Sequence, residues 1–302
     1  MSNCSAILLA AGRSRRLGFD KILTPLAGRP VLQYALQALR ESPSITELVL
    51  VTRRDLFAAI EDLVQKTPGV NPVKIIEGGA ERQDSVFAGL QACAGEAQQI
   101  LIHDAARPLL CEETIAEVLG VAREKGAAIT AHRASDTLKE ADESARVTRT
   151  LDRSKIWAMG TPQVFRSDWV REAYARVQAE SVAITDDAAA VERLGHPVFL
   201  VETARLNLKI TRPADWAMLE LWLSGPRGVR VRQLVHLLSN QISPMTGYLP
   251  LLKKYGGADP KFLEYIGKME QAAGGVQSHL HELQQLAREL FPDSPAPVPR
   301  DS

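Results

Sequence analysis

The chain has 302 residues, of which 45% are hydrophobic, and its 36 Lys and Arg are balanced by 36 Asp and Glu. That length allows one domain of about 220 residues plus an appendage, and the absence of net charge argues against a general electrostatic pull toward nucleic acid or an anionic membrane. Cys4, Cys93 and Cys111 are odd in number and lack Cys-x-x-Cys spacing, which argues against a disulfide framework or a zinc site; no h-region follows Met1 and no apolar run approaches about 18 residues, so the cytoplasm is the expected location.

Strand and helix signals alternate along the chain. The apolar run Ala6-Ile7-Leu8-Leu9 predicts a strand that enters the small-residue turn Ala10-Ala11-Gly12. A basic stretch, Arg13-Ser14-Arg15-Arg16-Leu17-Gly18-Phe19-Asp20-Lys21, follows it. Small residues let backbone N–H groups approach an anion, and the cations suit a triphosphate, although a solvated basic loop has the same composition. The turn matches neither the Gly-x-x-x-x-Gly-Lys-Ser/Thr loop nor Gly-x-Gly-x-x-Gly, so neither a P-loop NTPase nor a dinucleotide-binding dehydrogenase is favoured.

Further along, helices are expected from Val31 to Arg40 and from Phe57 to Gln65, with strands at Glu47–Val51 and Val73–Ile76. Gly78-Gly79 opens a helix that places Val86, Leu90 and Ala94 on one face. Two glycines before a helix can line a pocket for a base or ribose, with the Ser85 hydroxyl as partner; a glycine turn capped by Asp84 or Ser85 reads the same way. The apolar run Gln99-Ile100-Leu101-Ile102 ends in His103-Asp104-Ala105-Ala106-Arg107-Pro108. In an open α/β sheet ligands bind at the carboxyl ends of strands, so Asp104 and Arg107 fall where a metal and a phosphate would be handled. A strand-end Asp is also an ordinary helix cap.

From Ala134 to Ile156 the pattern becomes that of a long hairpin. Thr185-Asp186-Asp187 reads mainly as the N-cap of a helix through Val191. Beyond Ser224, two apolar stripes with spacings of three and four, Val235 to Leu252 and Phe262 to Leu290, predict an antiparallel helical hairpin over 225–291. Pro244 and Pro250 should bend its first helix, and four prolines between Pro292 and Ser302 predict a disordered tail over 292–302.

Eight segments in order carry a resemblance: Ala10-Ala11-Gly12 with Arg16 and Lys21, Gly78-Gly79 with Arg82 and Asp84-Ser85-Val86, His103 to Pro108, Asp136-Thr137-Leu138-Lys139, Asp152-Arg153, Thr161-Pro162-Gln163, Thr185 to Ala188, and Asn207 to Pro213. Over residues 1–224 the chain resembles the 2-C-methyl-D-erythritol 4-phosphate cytidylyltransferase family. The resemblance implies an α/β fold of the nucleotide-diphospho-sugar transferase, Rossmann-like kind, a mainly parallel sheet with helices on both faces and a protruding β-arm over about 134–156. It implies transfer of CMP from CTP to methylerythritol phosphate in non-mevalonate isoprenoid synthesis.

The same resemblance implies roles. Ala10, Ala11, Gly12, Gly79 and Ser85 would hold CTP, Arg16 and Lys21 would grip its phosphates, Asp104 would bind Mg²⁺, and Arg107 would orient nearby groups. Thr137, Arg153, Thr161 and Lys209 would surround the acceptor phosphate, with Arg153 and Lys209 also serving the chemistry; two hydroxyls and two cations are apt for a dianion. A phosphate monoester is already anionic near neutral pH and needs no general base. The arm implies a homodimer in which Thr137 and Arg153 serve the neighbour's site, and the C-terminal helices would add to that dimer.

Three places depart from the family pattern. Ile22-Leu23 follow Lys21 in place of a Gln-containing pair, Ala80 replaces an Asp, and Leu206 replaces an acidic residue, which leaves Asp104 as the protein ligand to metal. The C-terminal hairpin is similar to the dimerisation and phosphoacceptor module of histidine kinases, with His236 beside the apolar stripe, but Leu237 and Gln241 replace its usual acidic and Pro residues. Two other readings stand beside the enzyme: a ribitol 5-phosphate or related polyol-phosphate cytidylyltransferase, and a CTP-sensing adaptor acting through the hairpin. Retention of Arg16, Lys21, Asp104, Arg107, Arg153 and Lys209 disfavours the adaptor.

Overall fold

The computed structural model describes residues 3–12, 18–203 and 207–224. The chain divides into two compact units, 1–215 and 216–302, and of the second only residues 216–224 are described. The expected hairpin over 225–291 and tail over 292–302 lie outside the described residues.

In order, the elements are β1 (Cys4–Leu9), the two-residue strands β2 (Pro25–Leu26) and β3 (Arg29–Pro30), α1 (Val31–Glu41), β4 (Glu47–Thr52), α2 (Phe57–Lys66), β5 (Val73–Glu77), α3 (Arg82–Ala92), β6 (Gln99–Asp104) and α4 (Glu112–Lys125). They continue with β7 (Ala127–Arg133), β8 (Lys139–Ala141), β9 (Val147–Thr150), β10 (Trp157–Arg166), α5 (Ser167–Glu180), α6 (Asp187–Glu192), β11 (Phe199–Glu202) and α7 (Pro213–Leu223). The main sheet has the order β11-β7-β10-β6-β1-β4-β5. Every neighbouring pair in it is parallel except those made by β10, which runs antiparallel to both β6 and β7. It is a mixed, mainly parallel α/β sheet, and no helix among the described residues is long and apolar enough to cross a membrane.

Side-chain alternation divides the core in two. Ala6, Leu8, Leu48, Leu50 and Leu101 join one buried cluster with α1, α2 and α4, while Ile7, Val49, Val51, Ile100 and Ile102 join the other with α3, α5 and α6. Strands buried on both faces read as unbroken apolar runs for this reason. Helix α1 buries Val31, Leu32, Ala35, Leu36 and Leu39, one stripe at helical spacing. Helix α4 carries Glu112 and Glu113 in its first turn and Arg123 and Lys125 in its last, complementing the helix dipole, and Gly126 at φ 94° ends it.

Helix α3 departs from expectation at both ends. Its N-cap is Glu81, in a capping box with Asp84, whose carboxylate accepts the Glu81 N–H at 3.0 Å. The helix stops at Ala92, so Ala94 is not on the face that buries Val86 and Leu90. Tertiary partners end it: Arg171 Nη1 donates to the Leu90 carbonyl at 2.6 Å and Nη2 to Ala94 O at 3.0 Å, and the Glu47 carboxylate accepts the Ala94 N–H at 2.6 Å.

Register sets the functional edge. Leu9 lies opposite Asp104, the Ala10 N–H reaches Val51 O at 2.7 Å, and the Gly78 N–H reaches Thr52 O at 2.8 Å. The carboxyl ends of β1, β4, β5 and β6 are therefore level. The arm rises from this edge, since β7 ends there and Ala134 N–H bonds Ile156 O at 3.0 Å at its base. Beyond that base β8 and β9 pair as the expected hairpin.

Helix α3 lies close to the sheet because Gly89 has no side chain: a Cβ there would sit 2.7 Å from Ile7 Cγ2 and 3.3 Å from Val51 Cγ2. Gly89→Val should therefore lower unfolding stability by about 1–3 kcal/mol in urea titration, despite the better helix former. Stability equal to the parent would show that α3 can lift from β1 without cost.

Candidate active site

Asp104 ends β6 with its side chain 9% exposed. Its Oδ2 accepts from Lys209 Nζ at 2.7 Å, Oδ1 from Arg82 Nε at 3.4 Å, and Arg107 Nε stands 4.0 Å from Oδ2. Burial works to raise the pKa of this carboxyl, but the charges of Lys209, Arg82 and Arg107 outweigh it and hold the group well below the usual carboxylate range. Asp104 is ionised at any working pH.

Both arginines have a second tie. Arg107 Nη1 donates to the Asn207 carbonyl at 2.7 Å, and Asn207 Nδ2 donates to Thr161 O at 2.7 Å. Arg82 uses its two terminal nitrogens on Asp187, at 2.8 and 2.7 Å, and Asp187 is fully buried. The Tyr174 hydroxyl donates to Asp187 Oδ1 at 2.5 Å, and burial followed by the Asp187 charge pushes the phenol far up, so it stays a donor. Arg82 thus spans two carboxylates from the first turn of α3.

His103 orders the turn below. The ring is fully buried, and burial lowers its pKa to about 4, so it is neutral and carries one N–H. Nε2 faces the Arg107 carbonyl at 3.2 Å, an acceptor only, so the proton belongs on Nε2. Nδ1 then accepts from the Thr161 hydroxyl at 3.0 Å, and Thr161 Oγ1 accepts the Asp104 N–H at 3.1 Å. With Arg107 N–H bonded to Asp104 O at 3.0 Å, the Asp104-to-Arg107 turn has one arrangement of donors.

Lys21 is tied to the segment that carries Lys209. Its Nζ donates to the Ile210 carbonyl at 2.6 Å, next to Lys209, and the Ile210 N–H bonds Ala106 O at 2.9 Å. The loop that carries Lys21 is pinned by Asp20, which accepts from Ile22 N–H at 3.0 Å and pairs with Arg53. The Gly12 carbonyl accepts from Arg53 Nη1 at 3.2 Å.

The two backbone turns lie against each other. A Cβ on Gly78 would be 2.7 Å from Ser85 Oγ and 2.8 Å from Ala11 Cβ, so only glycine allows this approach. Ala10 is buried, Ala11 half-buried, and Gly12 and Gly79 are exposed. Ser85 is buried inside α3 and donates to Glu81 O at 3.2 Å, which leaves its lone pairs open.

The sequence reading grouped Thr137, Arg153, Thr161 and Lys209, and one chain does not bring these four together. Thr161 is buried between His103 and the Asp104 backbone, while Lys209 is on Asp104. Thr137 and Arg153 are exposed at the base of the arm, where Arg153 Nη1 donates to Ser135 O at 2.9 Å. Arg16 lies outside the described residues. Sequence reasoning missed Tyr174 and the pairing of Arg82 with Asp187. Asp186 does cap α6, accepting from Ala189 N–H at 3.1 Å, which leaves Asp187 as a second acid in a helix whose Ala188, Ala190 and Val191 are buried. An acid at a core-facing position was the available signal.

A carboxylate and four cations gathered at the carboxyl edge of a doubly covered sheet, beside two tight backbone turns, is the layout of a nucleotide-handling transferase. Residues 4–225 match the family model "IspD: 2-C-methyl-D-erythritol 4-phosphate cytidylyltransferase", and the chain belongs to that family. The 2-C-methyl-D-erythritol 4-phosphate cytidylyltransferase of Dehalococcoides mccartyi (strain CBDB1) is 42% identical over 223 residues, covering 74% of this chain and 96% of the relative. That of Dictyoglomus thermophilum is 36% identical over 227 residues, with 74% and 96% covered. Among solved structures, the 4-diphosphocytidyl-2C-methyl-D-erythritol synthase of Anaerococcus prevotii superposes with a TM-score of 0.67 at 29% identity, covering 74% of this chain and 99% of that one. The cytidylyltransferase of Thermus thermophilus gives 0.60 at 32% identity, with 73% and 98% covered. The kinase-like reading of 225–291 falls beyond both the family match and the described residues.

The state of His103 has a measurable consequence. Its folded pKa is depressed from 6.5 to about 4, so its contribution is complete above pH 6.5 and is lost as pH falls toward 4, about 3 kcal/mol in all. Urea unfolding between pH 7.5 and 4.5 should show this loss, and His103→Asn should flatten it. An equal slope in parent and variant would contradict the neutral assignment.

Proposed function

We propose that this chain transfers CMP from CTP to 2-C-methyl-D-erythritol 4-phosphate, with pyrophosphate leaving, and that the transfer takes place over Asp104. The observation that carries the placement is the convergence of Lys209, Arg82 and Arg107 about one buried, ionised carboxylate, with Lys21 tied to the Ile210 carbonyl next to Lys209. Two anionic reactants must meet there, and fixed cations in a partly desolvated cleft lower that barrier most.

In this reading the Ala10-Ala11-Gly12 turn, Gly79 and Ser85 form the wall for the nucleotide. Gly78 keeps those surfaces in contact, and Ser85 Oγ retains lone pairs for an N–H of the base. Lys21 and Arg16 grip the triphosphate. Lys209 takes charge on the acceptor phosphate, a phosphate oxygen forms the new bond to the α-phosphorus, and the bond to the β-phosphate oxygen breaks. The acceptor is already anionic, so no side chain has to remove a proton. Thr161 acts from below through Asp104 and His103.

Magnesium suits the donor set. Among the described residues no three His, Cys, Asp or Glu side chains gather at one point, and Mg²⁺ is commonly held by one or two carboxylates with substrate phosphates and water. Asp104 would hold it, and when bound the ion supplies neutralisation of triphosphate charge. Asn207 Oδ1, buried without a hydrogen-bond partner, is a neutral oxygen that the fold has not used.

Thr137 and Arg153 are assigned to the acceptor phosphate of a second copy's site. The exposed arm, which rises from the same sheet edge, supports that reading and, with it, a homodimer as the working unit.

Pyrophosphate release should require CTP and Mg²⁺ and should favour methylerythritol phosphate over ribitol 5-phosphate. Lys21→Ala and Asp104→Asn should each lower kcat about 100-fold or more. Full activity in either variant, or equal use of the two acceptors, would overturn the assignment.

A further inference from the structure

We propose that Asp187 and Tyr174 are positioning residues for the transfer: together they hold the Arg82 guanidinium in the orientation that turns its Nε toward Asp104, and so set the aim of that carboxylate. The inference rests on the reading of Asp104 as the group that receives the metal and nucleotide.

A guanidinium is a rigid planar fork, so engaging its two terminal nitrogens on one carboxylate fixes where the remaining N–H points. Arg82 is engaged in this way. Both terminal nitrogens lie on Asp187, at 2.8 and 2.7 Å, and Nε faces Asp104 Oδ1 at 3.4 Å. The Arg82 side chain is 35% exposed, so without that grip it would be free to swing to solvent, to both oxygens of Asp104, or onto an incoming phosphate.

Asp187 can hold it because Asp187 cannot move. Its side chain has no solvent exposure, and Oδ1 also accepts from the Tyr174 hydroxyl at 2.5 Å. The segment that delivers it is tied from two sides. Gln163, itself fully buried, accepts the Ala188 N–H at 3.1 Å and donates to Asp186 Oδ2 at 3.3 Å. Gln83, in the same helical turn as Arg82, accepts the Ile184 N–H at 3.1 Å and donates to Val182 O at 3.2 Å. A buried carboxylate is costly once its cation leaves. That cost keeps Arg82 on Asp187 while ligands come and go.

The contacts on Asp104 are unequal in a way that fits a guide. The Lys209 contact is a full ion pair at 2.7 Å, whereas the Arg82 contact is long. Arg82 restricts rotation of the carboxylate without closing off Oδ1, which stays able to meet a hard cation. Partners that orient a metal ligand in this manner typically change affinity or activity 10–100-fold when removed.

The test is calorimetric titration of CTP into the full-length protein, in Mg²⁺ and in EDTA, with no acceptor present. Asp187→Asn preserves shape and removes the charge; Tyr174→Phe removes one O–H beneath it; Arg82→Lys keeps a charge without the fork. Asp187→Asn and Arg82→Lys should weaken Mg²⁺-dependent CTP binding about 10–100-fold, with Tyr174→Phe weaker in the same direction, while in EDTA the Asp187 and Tyr174 variants keep an affinity near the parent's. Should Asp187→Asn fail to fold, Tyr174→Phe decides. A purely structural role would lower Tm and leave the metal dependence of the folded protein unchanged, and that outcome overturns the inference. Asp104→Asn separates the two levels: loss of metal dependence there but not in the Asp187 and Tyr174 variants sinks only this inference, whereas its retention in Asp104→Asn removes the site assignment as well.

Discussion

A charged carboxylate at the buried end of β6 governs the architecture around it. Left alone, Asp104 would either take up a proton or destabilise the fold by several kcal/mol. It is kept ionised by Lys209, Arg82 and Arg107, which arrive from three separate places: the 207–211 segment, the first turn of α3, and the turn that follows β6. Those segments have to converge on one edge of the sheet for the carboxylate to exist there. The cations in turn need partners, and Asp187, the Asn207 carbonyl and the Ile210 carbonyl beside Lys209 supply them to Arg82, Arg107 and Lys21. The fold and the charge cluster are one constraint.

Strand positions were legible because burial on both faces leaves unbroken apolar runs, as in Ile100 to Ile102 at the centre of β6, a strand whose six residues are all buried. The helices predicted at Val31–Arg40 and Phe57–Gln65 end one residue later than expected. The end of α3 was not legible, because it is set by Arg171 and Glu47, distant in sequence, and no local pattern encodes them. The reversed direction of β10 follows from the arm, which returns the chain beside β7 as a hairpin does. Alternation around residues 141–145 signalled that hairpin, and its turn closes with Asp142 accepting from the Ser144 and Arg146 N–H groups at 3.1 and 3.0 Å.

At the site, Asp104, Arg107, Lys21 and Lys209 were legible by residue type and motif. Their joint geometry was not, because ion pairs across about one hundred residues leave no periodic trace. Thr161 illustrates the limit. Its hydroxyl suggested a phosphate partner, yet it sits on a buried stretch of β10 and spends its donor on His103. Thr185-Asp186-Asp187 had the opposite difficulty: the capping signature was correct for Asp186 and hid the separate task of Asp187. Family resemblance supplied the reaction, and physical chemistry then assigned the residues their work.

The decisive experiment is a crystal structure of the full chain with CTP and Mg²⁺. The account requires the triphosphate at the carboxyl edge of β1 and β6, a metal on Asp104, and Lys21 in contact with phosphate oxygens in the same cleft. A nucleotide bound elsewhere, with Asp104 still paired to Lys209 and remote from every phosphate, would contradict it.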